Sequence, residues 1–120
     1  MEEVKELLGV FTRLDGVSAV CLVGRDGFLV DSLVKKGTDA EMIGAIASGG
    51  FGASESMGKQ LEKGKLNMTM LEFNEGPVML APVGEDTFLV VAADEGANLA
   101  LIRLAIRKHK DKLAVATSAI

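Results

Sequence analysis

Two segments constrain the fold of this chain more than any others. Val17–Gly24 (VSAVCLVG) and Thr87–Ala93 (TFLVVAA) are apolar at nearly every position and rich in β-branched residues. Runs of that length read as strands buried on both faces, which belong in the middle of a sheet with cover on both sides. The breaks between strands are short: Arg25-Asp26-Gly27, Asn74-Glu75-Gly76-Pro77 and Gly84-Glu85-Asp86. Asp-Gly supplies the positive φ of a tight hairpin, and connections this short join antiparallel neighbours. The expected architecture is a three-layer α/β sandwich, one five-stranded antiparallel sheet with helices on both faces.

The other elements follow from periodicity. Val4, Leu7, Leu8, Phe11 and Leu14 share one face of a helix over Met1–Leu14, which Asp15-Gly16 stops. Phe28–Leu33 is the return strand of the first hairpin. Thr38–Lys63 reads as a long helix, opened by a Thr38/Glu41 capping box and closed before a left-handed Gly64. It holds Gly44, Gly49, Gly50, Gly52 and Gly58. So many glycines imply close packing or a break near Gly49-Gly50. A meander follows: Leu66–Phe73, Val78–Val83 and Thr87–Ala93. Ala97 to about Lys110 is a last helix with Leu99, Ile102 and Ile106 as its seam. The chain from Asp111 onward reads as loosely held. The single domain is expected to close at residue 113, leaving 114–120 as a tail.

Composition narrows the function. The chain has 120 residues, 48% hydrophobic, with one cysteine, one histidine and a net charge of −4. These counts exclude an intrachain disulfide and a multi-histidine metal centre. Acidity and the lack of Trp and Tyr speak against nucleic acid. The N-terminus (MEEVKELL) is acidic where a signal peptide is basic. The longest uncharged stretch, Met42–Ser54, is too short to span a bilayer. The expectation is a cytoplasmic protein without direct membrane insertion.

Catalytic motifs fail on inspection. Gly52–Lys59 (GASESMGK) resembles a phosphate-binding loop, but five residues separate its glycines and Gln60 stands where Ser or Thr is needed. Ser56-Met57-Gly58-Lys59 matches S-x-x-K without its companion motifs. Cys21 lies mid-strand as an inert core thiol, and His109 sits among lysines at a helix end. The basic run Arg107–Lys112 is short and interrupted by Asp111. We therefore expect no enzyme in its own right: no catalytic residues, no cofactor and no metal.

The long helix carries the stronger signal. Ile43, Ile46, Gly50, Ala53 and Met57, flanked by Met42 and Leu61, form one apolar stripe, expected to pack on the sheet. Ala40, Gly44, Ala47, Phe51, Ser54 and Gly58 form a second at heptad spacing, expected to meet a second copy with Phe51 as its knob. Glu41, Ser48, Glu55, Lys59 and Glu62 occupy the remaining face, expected to bind a partner. Leu66–Phe73 reads as a poorly defended edge that pairs with its own copy, placing Met68 and Met70 at the interface.

Three stretches carry a family resemblance: GVSAVCLVGRDGFLVDS (Gly16–Ser32), the small-residue helix through Met57, and TFLVVAADEGANLALIRLAIRK (Thr87–Lys108), with its Asn98-Leu99 pair. Over Glu3 to about Leu113 the chain resembles the Roadblock (dynein light chain 7-type) family. The resemblance implies a sheet with the long helix on one face and the two terminal helices on the other, in profilin-like layers. It implies homodimers joined through the long helix and the first meander strand into one continuous sheet. It also implies a Ras-like small GTPase as partner, bound across the paired long helices, with this chain either a regulator that stimulates hydrolysis or a scaffold that does not; any stimulation is expected without catalytic residues of its own. The alternatives are a ligand sensor, with Ser18, Ser32 and Thr69 as polar lining, or a structural adaptor for a motor or kinase. An arginine finger has few candidates. Arg13, Arg103 and Arg107 belong to the terminal helices, and only Arg25, at a hairpin tip, is placed to serve.

Overall fold

The structure, a computed structural model, describes residues 2–118. The elements run α1 (Glu2–Thr12), β1 (Val17–Gly24), β2 (Leu29–Leu33), α2 (Ala40–Gln60), β3 (Thr69–Phe73), β4 (Gly76–Val83), β5 (Thr87–Ala93) and α3 (Leu99–Ser118). The strands form one sheet in the order β2-β1-β5-β4-β3, with every neighbouring pair antiparallel. The doubly apolar strands β1 and β5 lie side by side near its middle, with Cys21 opposite Val90 and Val23 opposite Phe88.

Alternation along these strands separates two cores. Val20, Leu22, Leu89 and Val91 point into the layer formed by α1 and α3, where they meet Val4, Leu8, Phe11, Ile102 and Ile106. Cys21, Val23, Phe88 and Val90 point the other way and pack under Phe51 of α2. The long helix therefore covers one face and the terminal helices the other.

Several boundaries differ from the sequence reading. Asp39, not Thr38, caps α2: its Oδ1 accepts from the Met42 N–H at 3.0 Å. Asp39 directly precedes the first helical residue and takes the N-cap position, so no Thr38/Glu41 box forms. At the other end Lys63 N–H donates to Gly58 O and Glu62 N–H to Lys59 O. This is a Schellman closure, and its left-handed residue is Glu62 (φ 55°) rather than the glycine two residues on. β3 begins at Thr69, not Leu66, because continuing its register would set Asn67 opposite Pro82, which has no N–H for a ladder. Gly76 opens β4 with φ 129°, and a Cβ there would collide with the Ala93 carbonyl.

The largest correction is at the C-terminus. The segment expected to be loosely held is, through Ser118, the second half of α3. Leu113 is fully buried in the α1/α3 layer, and Ala114 and Ala116 pack there. Asn98 caps this helix, accepting from Leu101 N–H, which places its start at Leu99 rather than Ala97. Ala119 and Ile120 lie outside the described residues.

Candidate association surface

The two apolar stripes of α2 exchange the roles expected of them. Phe51 is 1% exposed and stacks on Phe88 with ring centroids 4.6 Å apart. Gly44 is buried beside it, and a Cβ there would sit 3.3 Å from Val23 Cγ1. Ala40 and Ala47 pack on the same core, while Ser54 and Gly58 are half-buried. The small residues of this stripe let the helix backbone approach its own sheet, with Phe51 filling the remaining space. So Ala40, Gly44, Ala47, Phe51, Ser54 and Gly58 are not an outward seam. Ile46 (69% exposed) and Met57 (60%) point into solvent with Met42 and Leu61, as do Gly50 and Ala53. Of the stripe expected to be core, Ile43 alone joins it.

The outward stripe is smooth at its centre. A Cβ on Gly49, Gly50 or Gly52 would meet nothing within 4 Å. The helix runs unbroken from Ala40 to Gln60, so these glycines neither break it nor pack within the chain. Three exposed helix-interior glycines cost about 1 kcal/mol each relative to alanine.

The sheet continues this surface. β3 is an edge strand, and its residues alternate between the two faces. Met68 and Met70 face the α1/α3 layer, half-buried. Leu71 and Phe73 fall on the α2 side and are exposed. The Thr69 hydroxyl is buried without a hydrogen-bond partner at the start of this strand.

The polar residues of α2 are distributed unevenly. Glu41, Lys59 and Glu62 are exposed. Ser48 is half-buried, and its hydroxyl donates to Ala45 O. Glu55 is tied to Arg25 by an ion pair of 2.5 Å, and the Arg25 guanidinium lies 5.1 Å above the Phe51 ring. Arg25 is thus pinned between β1 and α2 rather than free at a hairpin tip. Neither that clamp nor the exposure of Leu71 and Phe73 was legible in the sequence. A contact between a hairpin arginine and a helix glutamate thirty residues later has no sequence signature.

Other reactive groups are quiet. The Cys21 thiol is buried, and its pKa is pushed up to about 11 by burial, so it stays protonated at neutral pH. The Ser18 hydroxyl donates to Ala92 O. Among the described residues no group of three or more His, Cys, Asp or Glu side chains could hold a metal. None of the described helices is long and apolar enough to cross a membrane.

A five-stranded antiparallel sheet, with one helix on one face presenting an outward apolar stripe and two helices on the other, defines a small three-layer α/β domain. The Roadblock/LC7 domain model matches residues 3–93, and the chain belongs to that family. It is 36% identical over 110 residues to the uncharacterized protein MJ0714 of Methanocaldococcus jannaschii, covering 92% of each chain. Among solved structures it superposes on Myxococcus xanthus MglB with a TM-score of 0.90, at 22% identity, over 98% of this chain and 97% of that one. A solved MglB with a tetrameric arrangement gives a TM-score of 0.89, at 21% identity, over 99% and 91%. At these identities the structural matches concern the fold.

Proposed function

We propose that this chain is a non-catalytic regulator or scaffold that pairs with a second copy and holds a Ras-like small GTPase against its long helices. The observation that carries the reading is the outward stripe of α2, with Ile46 and Met57 exposed on either side of bare glycines. Contiguous apolar surface of this kind marks an interaction site. Two such stripes crossing at their glycines bring helix backbones close together, and β3 edges meeting on the same side complete a continuous sheet. The tetrameric arrangement belongs to the MglB that shows it, and supports self-association here by analogy.

The GTPase part of the reading rests on family membership and on the exposed charges beside the stripe. Glu41 and Lys59 flank it near opposite ends of α2, where a partner lying across two helices would meet both. The test is retention of the small GTPases of the source organism, each loaded with GDP or a GTP analogue, on the immobilised full chain. One GTPase is retained in one nucleotide state, and Glu41→Lys/Lys59→Glu abolishes that retention while Lys35→Glu keeps it. No nucleotide-dependent retention of any GTPase contradicts the reading.

A further inference from the structure

A cleft distinct from the outward stripe of α2 opens beside the C-terminal end of that helix, at Gly58, and reaches across to α3. It has a volume of about 620 Å3 between the segment 63–68 and α3, floored by Ala81, Pro82 and Ile106. Its charged lining is Lys63, Lys65, Arg103, Arg107 and Lys110, with no carboxylate among the lining residues. Among the described residues the ion pairs are Lys5–Asp31 and Arg25–Glu55, so none of these five cations has an anionic partner. An adjoining cleft shares Gly64, Lys65, Leu66, Asn67, Pro82 and Lys110 with it, and the acids Glu55, Glu62, Glu85 and Asp111 line that one.

We propose that this cleft binds a phosphate-bearing polyanion. Arg103 and Arg107 stand one turn apart on α3 and therefore share a face. Like charges at that spacing repel, and the loop lysines opposite add to the repulsion rather than relieve it. An anionic ligand removes that repulsion. Guanidinium forks match phosphate oxygens bidentately, and lysine ammonium groups supply mobile point charges around them. Asn67 adds a neutral amide at the cleft wall. The volume is that of a small-ligand site. Its concavity suits a compact phosphorylated group better than an extended acidic peptide.

Charge is also polarised at the scale of the chain. α3 holds five of the 13 basic side chains and one of the 17 acidic ones, a net +4, against −8 for the rest. An anion approaching this acidic protein is therefore steered toward α3. The phosphate belongs either to a soluble phosphorylated molecule or to a phospholipid headgroup, since the recognising chemistry is common to both.

Amide NMR titration of the full chain with inorganic pyrophosphate tests the site. Saturable shifts are expected in residues 63–68 and 103–110. Arg103→Gln/Arg107→Gln weakens binding by about tenfold or more, while Lys35→Gln/Lys36→Gln leaves it unchanged. All four side chains are exposed, so both variants fold. Pyrophosphate raises the melting temperature of the wild type and not of the arginine variant. Co-sedimentation with phosphatidylcholine vesicles, with and without phosphatidic acid, separates the sources. Arginine-dependent binding only with phosphatidic acid assigns a headgroup, and pyrophosphate binding without vesicle binding assigns a soluble phosphate. Absence of saturable shifts, equal weakening by the lysine variant, or tighter binding of hexaglutamate than of pyrophosphate overturns the proposal.

Discussion

Phe51 and Ile46 lie five positions apart on α2 and have opposite surroundings. Phe51→Ala removes a fully buried ring stacked on Phe88 and should lower the unfolding free energy in urea by about 3–5 kcal/mol. Ile46→Ala, at an exposed position, should change monomer stability by no more than about 0.5 kcal/mol. The sequence showed both stripes but not their assignment. Ile and Met carry more apolar surface than Gly, Ala and Ser, so apolarity alone favours the bulkier stripe as core. The structure buries the narrower one because small residues let α2 approach the sheet closely. His109 adds a pH effect. Its Nδ1 is buried without a hydrogen-bond partner, edge-on to Phe11 at 6.2 Å. Burial, and then Lys108 and Lys112, hold its pKa below the usual 6.5. Between the lowered value and 6.5 the unfolded chain binds more protons than the folded one, so stability rises with pH through that window. Its contribution is complete above the unfolded pKa and is lost as pH falls through the folded one. Urea midpoints measured from about pH 7.5 down to about pH 5 should fall, and His109→Leu should flatten that fall.

At the scale of elements, the glycines of α2 give the sharpest test. Gly49, Gly50 and Gly52 sit in open space on an unbroken helix. Replacing all three with alanine should stabilise an isolated chain, by about 0.5–1 kcal/mol per site. The same change adds methyl groups where two helices are proposed to cross, and should weaken self-association by at least tenfold in sedimentation equilibrium. A variant that gains helix stability and keeps its association would place the contact elsewhere. Legibility differed between elements for physical reasons. β1 and β5 were read to the residue because both of their faces are buried. β3 was read too long because the limit on its ladder lies in Pro82, on another strand. The second half of α3 was missed although Leu113 falls seven residues after Ile106, on the seam of Leu99, Ile102 and Ile106. The intervening charged residues and the Ala/Thr-rich end masked a helix whose stability comes from packing on the sheet and α1.

At the scale of the whole molecule, the positions of the arginines limit how a bound GTPase could be stimulated. Arg103 and Arg107 lie on α3 and Arg13 just beyond α1, across the sheet from α2. Arg25, which contacts α2 directly, is held by Glu55 and the Phe51 ring. Under the proposed function, stimulation would therefore act through preferential binding of one conformation of the GTPase's own switch loops, not through a finger supplied in trans. In single-turnover hydrolysis Arg25→Ala should keep near-full stimulation, whereas Glu41→Lys/Lys59→Glu should lose it; the reverse pattern contradicts this mechanism. The layered fold was legible as a whole because central strands with two buried faces admit few architectures. The association surface was legible only as a choice between two stripes. The measurement that bears most directly on the account is sedimentation equilibrium of the wild type and Ile46→Asp at micromolar concentration, with circular dichroism of both. The account predicts a dimeric or larger wild type and a monomeric Ile46→Asp with unchanged helical signal. A monomeric wild type, or an Ile46→Asp variant that associates as the wild type does, would contradict it.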